Sequence, residues 1–206
     1  MYSLLIDTSH QKNAIGIFGT DDQWLIYNTF KKSPYEGLSY EFKKLLNDSK
    51  IPLNTITKIF IPCAPGSSLG IRVTKMFVEG LMAFLNNSPK VFEYNGLFLS
   101  ALSMNQELKE ESYLITENGR SYWSLINLTK LMNPTIASIE ETDLNRIQGQ
   151  CYYIEQAKKW KSPPDTAQKI DYMPKNFSHH LNQIETFNID HNQLISTESK
   201  YKKWNT

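Results

Sequence analysis

The strongest constraint on the fold is the order in which short apolar runs and turns follow one another at the front of the chain. Residues 3–6 form an apolar run ending in Asp7-Thr8-Ser9. Residues 13–18 and 24–30 form two more, separated by Gly19-Thr20-Asp21-Asp22. Short runs with such breaks predict a β-meander. Leu38, Phe42, Leu45 and Leu46 then fall at helical spacing, which predicts an amphipathic helix over 38–49. A strand over 58–63, a Pro/Gly/Ser turn over 65–70, a long apolar helix over 71–86, a strand over 91–94 and a short helix over 97–105 follow. Strands joined first by hairpins and then through helices predict an α/β layer built on a mixed sheet.

The polar stretch 106–112 marks a boundary, giving an N-terminal lobe at 1–105 and a smaller C-terminal lobe at 106–206 with a partly irregular tail. In the second lobe, strands at 113–115 and 121–126 flank Glu117-Asn118-Gly119-Arg120, an Asn-Gly hairpin signal. Further elements are expected at 137–140, 143–147 and 152–155, and a helix near 175–186. No repeat is evident in the sequence. With 206 residues the chain has the size of one large domain or two small lobes. Its 22 Lys+Arg against 21 Asp+Glu, a formal charge of +1, argue against a protein that grips nucleic acid by its own charge. A subunit of an RNA-processing complex whose partner supplies the basic surface is compatible with that balance. Cys63 and Cys151 lie far apart without a metal-binding spacing, as in a reduced compartment. The first run meets Asp7 with no basic segment before it, unlike a signal peptide, and the apolar stretch 76–85 is too short to span a bilayer. A soluble cytoplasmic protein with no membrane partner is the expectation.

The sharpest local signal is Ala64-Pro65-Gly66-Ser67-Ser68-Leu69-Gly70-Ile71-Arg72, between a strand and a helix. Gly66-Ser67-Ser68-Leu69-Gly70 matches the G-x-S-x-G nucleophile elbow, which makes Ser68 a candidate nucleophile with His179, His180 or His191 as its base. Against a small serine hydrolase stand the missing upstream oxyanion segment, the polar setting of those histidines and the short chain. The same turn also reads as a glycine-rich connection in which Ser67 or Ser68 caps the helix, with exposed amides that suit an anion. In that helix Val73, Phe77, Leu81 and Phe84 form one stripe, expected to face the sheet. Ile71, Val78, Met82 and Leu85 form a second, roughly opposite, and Arg72, Lys75, Glu79 and Asn86 share the polar arc. A helix apolar on two faces is either sandwiched within its domain or buries the second face in a partner. Asp7-Thr8-Ser9 at a strand end suits a phosphate or metal turn as well as an ordinary capped turn. His179-His180 with Asp190-His191 matches no defined metal site. Lys158, Lys159, Lys161, Lys200, Lys202 and Lys203 are candidate RNA-phosphate contacts or simply a solvated surface.

Taken together, Asp7-Thr8-Ser9 opening a meander and the Pro65 turn opening a long helix resemble the TsaB (YeaZ) family, partners in making the threonylcarbamoyl modification on tRNA adenosine beside the anticodon. That family's turn, Gly-Pro-Gly-Ser-Phe/Tyr-Thr-Gly-Leu/Ile-Arg, is matched at Pro65, Gly66, Ser67, Gly70, Ile71 and Arg72, and Gly80-Leu81 fits its usual Gly-Leu. Gly119 and Tyr122 resemble its Gly-x-x-Tyr, and Asp171-Tyr172-Met173-Pro174 its closing Pro-x-Tyr segment. The likeness covers residues 1–105 well and the rest poorly. Ala64, Ser68, Leu69, Thr74 and Leu38 depart from the pattern. The resemblance implies an actin-like ATPase (ASKHA, ribonuclease H-like) α/β fold, with mixed sheets flanked by helices and a reduced C-terminal lobe. It implies a non-catalytic scaffold that binds a TsaD-like catalytic subunit, assisted by a TsaE-like ATPase, or pairs with a second copy of itself as a homodimer. It touches tRNA only through the complex. The implied binding turn is Asp7, Ser9, Pro65, Gly66, Ser67 and Gly70. The implied partner surface is Leu38, Phe42, Ile71, Arg72, Lys75, Val78, Glu79 and Met82. No cofactor is expected on the subunit alone, with ATP or ADP at the partner interface; the C-terminal half lacks the second glycine-rich phosphate loop of an active actin-like kinase.

Overall fold

The computed structural model describes residues 1–85, 89–104, 108, 111–156 and 161–186. β1 (Tyr2–Asp7), β2 (Asn13–Phe18) and β3 (Trp24–Phe30) form the expected antiparallel meander. β4 (Ile56–Ala64) joins the other side of β1 in parallel and β5 (Lys90–Asn95) follows it, completing a five-stranded sheet in the order β3-β2-β1-β4-β5. Parallel neighbours need crossovers, and two long helices supply them: α1 (Pro34–Ser49) before β4 and α2 (Ser68–Phe84) before β5. α1 starts at Pro34, a turn earlier than the apolar spacing predicts, because proline's fixed φ and missing N–H suit the first helical position. It stops where Lys50 turns left-handed (φ 55°) and donates its N–H to Leu46 O at 3.0 Å.

The sheet is covered on both faces, so β1 and β2 are apolar at successive positions rather than alternating with polar ones. On one face Leu4, Ile6, Ile15, Ile17, Ile59 and Ile61 pack under α1 and α2. Leu38, Phe42 and Leu45 of α1 and Val78 and Leu81 of α2 complete that core. Leu38, Phe42 and Val78 were expected at a partner surface. They are instead buried within the chain, because their helices lay those residues on the sheet. On the opposite face lie Leu5, Phe18 and Phe60.

The second sheet repeats the first. β6 (Ser112–Asn118), β7 (Tyr122–Asn127) and β8 (Ile136–Glu140) form an antiparallel meander, to which β9 (Gln150–Ile154) and β10 (Gln168–Ile170) add in parallel. Its order, β10-β9-β6-β7-β8, is that of the first sheet with each strand replaced by its counterpart. The chain thus holds a structural repeat that its amino acids do not display. The reduction of the second lobe is visible at the crossovers, where α4 (Glu141–Leu144) has 4 residues and its counterpart α1 has 16.

Between the sheets lies α3 (Gly96–Leu102), capped by Asn95 Oδ1, which accepts from Leu97 N at 2.9 Å and Phe98 N at 3.2 Å. It points Leu97, Phe98 and Ala101 into the second lobe's core and Leu99 into the first lobe's. The division at 105/106 does not hold beyond Met173. A 3-10 stretch (Pro174–His180) and α5 (Leu181–Thr186) return to the first sheet and bury Phe177, Leu181 and Ile184 against Leu5, Phe18 and Phe60. Trp24 Nε1 donates to Lys175 O at 2.8 Å, and Lys58 pairs with Glu185 at 2.5 Å. An apolar face left open by five strands outweighs proximity along the chain. Cys63 and Cys151 are free thiols, each pushed up to about 11 by burial. Among the described residues no helix is long and apolar enough to cross a membrane.

Because Phe177 fills the first lobe's rear core, Phe177→Ala is expected to destabilise the whole chain by about 3–5 kcal/mol in urea unfolding. A tail that merely rests on the surface would show no such loss.

Candidate functional site

The end of β1 carries an extended buried polar cluster. Asp7 is fully buried, and its two carboxylate oxygens meet four donors. Oδ1 accepts from Ser9 N at 2.9 Å and Ser9 Oγ at 2.6 Å. Oδ2 accepts from Tyr94 OH at 2.5 Å and from Tyr172 OH. A carboxylate offers about four lone-pair sites, so these donors use its accepting capacity. Burial, reinforced by the charge on Asp7, pushes both phenols well above their ordinary range and keeps them protonated as donors.

His10 continues the cluster. Its ring stacks on Tyr172 with centroids 3.7 Å apart, and Nδ1 lies 2.8 Å from Ser9 Oγ. Because the Ser9 hydroxyl proton goes to Asp7, Nδ1 must carry the proton of this second bond, which leaves Nε2 as a buried acceptor without a partner among the described residues. Burial lowers the imidazole from 6.5 to about 4, although the Asp7 charge pulls the other way. Beside it, a cavity of about 260 Å³ lies between the β1–β2 turn and the second sheet, lined by His10, Lys12, Glu155, Lys169, Asp171 and Tyr172. Lys169 and Glu155 form an ion pair across its wall.

The glycine-rich turn is gathered to the same place, and its chemistry is largely structural. Ser67 N donates to Ser9 O at 2.7 Å, Thr8 Oγ1 donates to Gly70 O at 2.8 Å, and Thr74 Oγ1 lies 2.7 Å from Thr8 Oγ1. Gly66 has φ +148°, and a Cβ there would sit 2.5 Å from Ser9 O; at Gly70 it would sit 1.8 Å from Thr8 O. Both glycines permit close contact between the turn and the end of β1. Ser67 is the helix cap, accepting from Gly70 N at 3.2 Å. Asp7, Ser9, Pro65, Gly66, Ser67 and Gly70 thus come together, held mostly by bonds to one another.

Ser68 is an exposed first residue of α2, and no described histidine bonds to it. His179 and His180 belong to the 3-10 stretch on the rear of the first lobe, and burial followed by the charge of His179 lowers His180. His191 lies outside the described residues. Among the described residues no three His, Cys, Asp or Glu side chains gather to hold a metal. Of the expected partner surface, Arg72 and Glu79 are exposed and Ile71, Lys75 and Met82 half-buried, with Lys75 paired to Glu93 at 2.9 Å. The Ile71/Val78/Met82/Leu85 stripe does not face outward: Val78, Met82 and Leu85 pack on the first core, and α1 lies alongside, with Phe42 edge-on to Phe77 at 5.2 Å. Phe84, assigned above to the sheet side, is 85% exposed, and with Leu69 (63%) and Met76 (70%) it forms the outward apolar face. Lys161 Nζ is buried and so unsuited to RNA phosphate, while Lys158, Lys159 and the tail lysines lie outside the described residues.

No family model matches the chain, and no curated protein matches it in sequence. In three dimensions it is similar to YeaZ from Pseudomonas aeruginosa, with a TM-score of 0.59 over 90% of this chain and 91% of that one, at 12% identity. A structure described as an uncharacterized protein with similarity to peptidase YEAZ from Pseudomonas aeruginosa gives the same TM-score, 0.59, and identity, 12%, over 87% of this chain and 90% of that one. The fold is actin-like and YeaZ-like. At such identity the likeness speaks for the fold, and the residues must carry the rest. Tyr94 and Tyr172 stand 87 and 165 positions from Asp7, so spacing does not join them to it; His10 has a local signal next to Ser9, and Tyr172 falls in the segment that resembles a Pro-x-Tyr motif, whereas Tyr94 has neither.

Two outcomes test the cluster. His10 has a folded value near 4 against 6.5 unfolded, so the unfolded chain takes the proton first and stability falls with pH between 6.5 and 4. The wild type is expected to lose about 3 kcal/mol more over that window than His10→Gln, read from urea unfolding at each pH. Ser67→Ala should cost about 1 kcal/mol as a lost cap, whereas Ser68→Ala should stay within about 0.5 kcal/mol.

Proposed function

We propose that this chain is a non-catalytic, cytoplasmic scaffold subunit of the complex that installs threonylcarbamoyl on tRNA adenosine beside the anticodon, docking a TsaD-like catalytic subunit. The observation that carries the reading is the outward face of α2. Leu69, Met76, Gly80 and Phe84 recur at helical spacing, and the three large ones are 63%, 70% and 85% exposed. At the centre of that stripe, a methyl group on Gly80 would meet nothing within 4 Å in the chain. A glycine in mid-helix costs about 1 kcal/mol relative to alanine, and no contact among the described residues requires it. A second backbone approaching closely at that point gives the glycine a reason. Arg72 and Glu79 border the stripe and supply the polar rim.

The cleft supports a non-catalytic role from the other side. Asp7 at the end of β1 is fully buried, and Ser9, Tyr94 and Tyr172 take its lone pairs, so it has none left for a metal or its water. ATP or ADP then belongs at the interface with the partner, where a TsaE-like ATPase would assist, and tRNA is reached through the complex, as a net charge of +1 suits. A second copy of the chain is the competing occupant of the α2 face. The hydrolase reading finds Ser68 exposed and without a described histidine bonded to it.

Full-length chain should co-purify with the TsaD-like subunit of the same organism. Gly80→Leu is expected to raise the stability of the isolated chain by about 0.5–1 kcal/mol while weakening pairing at least tenfold. Met76→Asp should weaken pairing at unchanged stability. Pairing that survives both variants, or none with wild type, would overturn the reading; pairing only with itself would assign the face to a homodimer.

A further inference from the structure

On the side of the second sheet that packs Ile115, Trp123 and Leu144, away from the Asp7 cluster, two hydrogen-bond donors lack acceptors among the described residues. Trp123 is 1% exposed, yet its indole Nε1–H has no partner. The Lys161 ammonium is likewise buried and unpartnered, 5.6 Å from the centre of the Trp123 ring. Both line one cavity of about 90 Å³, together with Glu117, Tyr153, Ser162 and Pro163. The ring face attracts the ammonium, but a cation–π contact does not replace its hydrogen bonds. Buried donors left without acceptors are costly, and a charged one more than a neutral one. The missing chemistry is therefore an acceptor, and preferably an anionic one.

We propose that this cavity binds the carboxylate of a small organic acid, one oxygen taking the Trp123 N–H and the other a Lys161 proton. The wall selects for a single negative charge. Lys161 supplies one positive charge, and the carboxylates in the wall, Glu117 and Glu155, have interactions of their own, Glu155 with Lys169. One negative charge balances that of Lys161, whereas a phosphate dianion brings a second one without a counter-charge in the wall. The cavity has room for about three water molecules, enough for a carboxylate on a short carbon chain, with Tyr153 and Pro163 offering apolar contact to that chain. The site shares no residue with the α2 face, so its success or failure is independent of the partner reading.

The test uses the full chain labelled with ¹⁵N and follows its indole N–H signals, with that of Trp123 assigned by Trp123→Phe. Sodium acetate is titrated at constant ionic strength against sodium chloride, with sodium phosphate as a parallel arm. A saturable shift of the Trp123 indole is expected with acetate, while that of Trp24, which donates to Lys175 O, stays still. Lys161→Met should weaken acetate binding at least tenfold, and Lys161→Arg, which keeps a cationic donor, should retain most of it. No saturable shift in the wild type means that water alone satisfies the donors and overturns the proposal. An undiminished shift in Lys161→Met overturns it too. Phosphate saturating as tightly as acetate overturns the assignment to a monocarboxylate.

Discussion

Everything at the meeting of the two lobes is organised by one buried negative charge. Asp7 ends β1, the central strand of the first sheet, with its carboxylate shut away from solvent. Such a charge persists only if protein groups replace the water it loses. They come from three separate regions: Ser9 from the adjoining turn, Tyr94 from β5 and Tyr172 from the segment that follows β10. Meeting that demand draws the second lobe's exit segment onto the first lobe. His10 is stacked and neutralised as a consequence, since it lies between Ser9 and Tyr172.

The same contacts explain what the cleft has become. The fold is actin-like, with two five-stranded mixed sheets flanked by helices. This chain keeps both five-stranded sheets with matching strand order, and it shortens a helical crossover of the second. The turns that could cradle a phosphate grip one another instead, Gly66 against Ser9 and Gly70 against Thr8. Surplus apolar surface is displaced to the outside of α2, where Leu69, Met76 and Phe84 stand in solvent around Gly80. The buried carboxylate of Asp7 and the exposed apolar face of α2 are the two features on which the proposed docking role rests.

Much of this was legible in the sequence and some was not, for physical reasons that differ from place to place. The meander, the two long helices and the Asn-Gly hairpin are local, since period, turn residues and caps lie within a few positions of one another. The outward face of α2 escapes the sequence because both apolar stripes have helical spacing, and only the structure shows both packed largely on the core, with Leu69, Met76 and Phe84 left outside. The return of 174–186 to the first sheet was invisible because the apolar face that needs Phe177 belongs to strands far earlier in the chain. Of the candidate site, Asp7, Ser9 and the glycine turn could be named in advance, whereas their mutual bonding could not.

By itself the sequence determined the order and type of most elements, the glycine positions that close backbone contact requires, and a charge balance unsuited to gripping nucleic acid. Periodicity, turn chemistry and charge are properties of neighbouring residues, and these need no fold to be read. Only the tertiary structure decided that the two sheets share one topology, that Tyr94 and Tyr172 fill the carboxylate of Asp7, and that Trp123 and Lys161 line one cavity with donors that meet no acceptor among the described residues. Those facts depend on which distant groups meet in a medium without water, where every buried charge and donor must find its partner in space rather than along the chain.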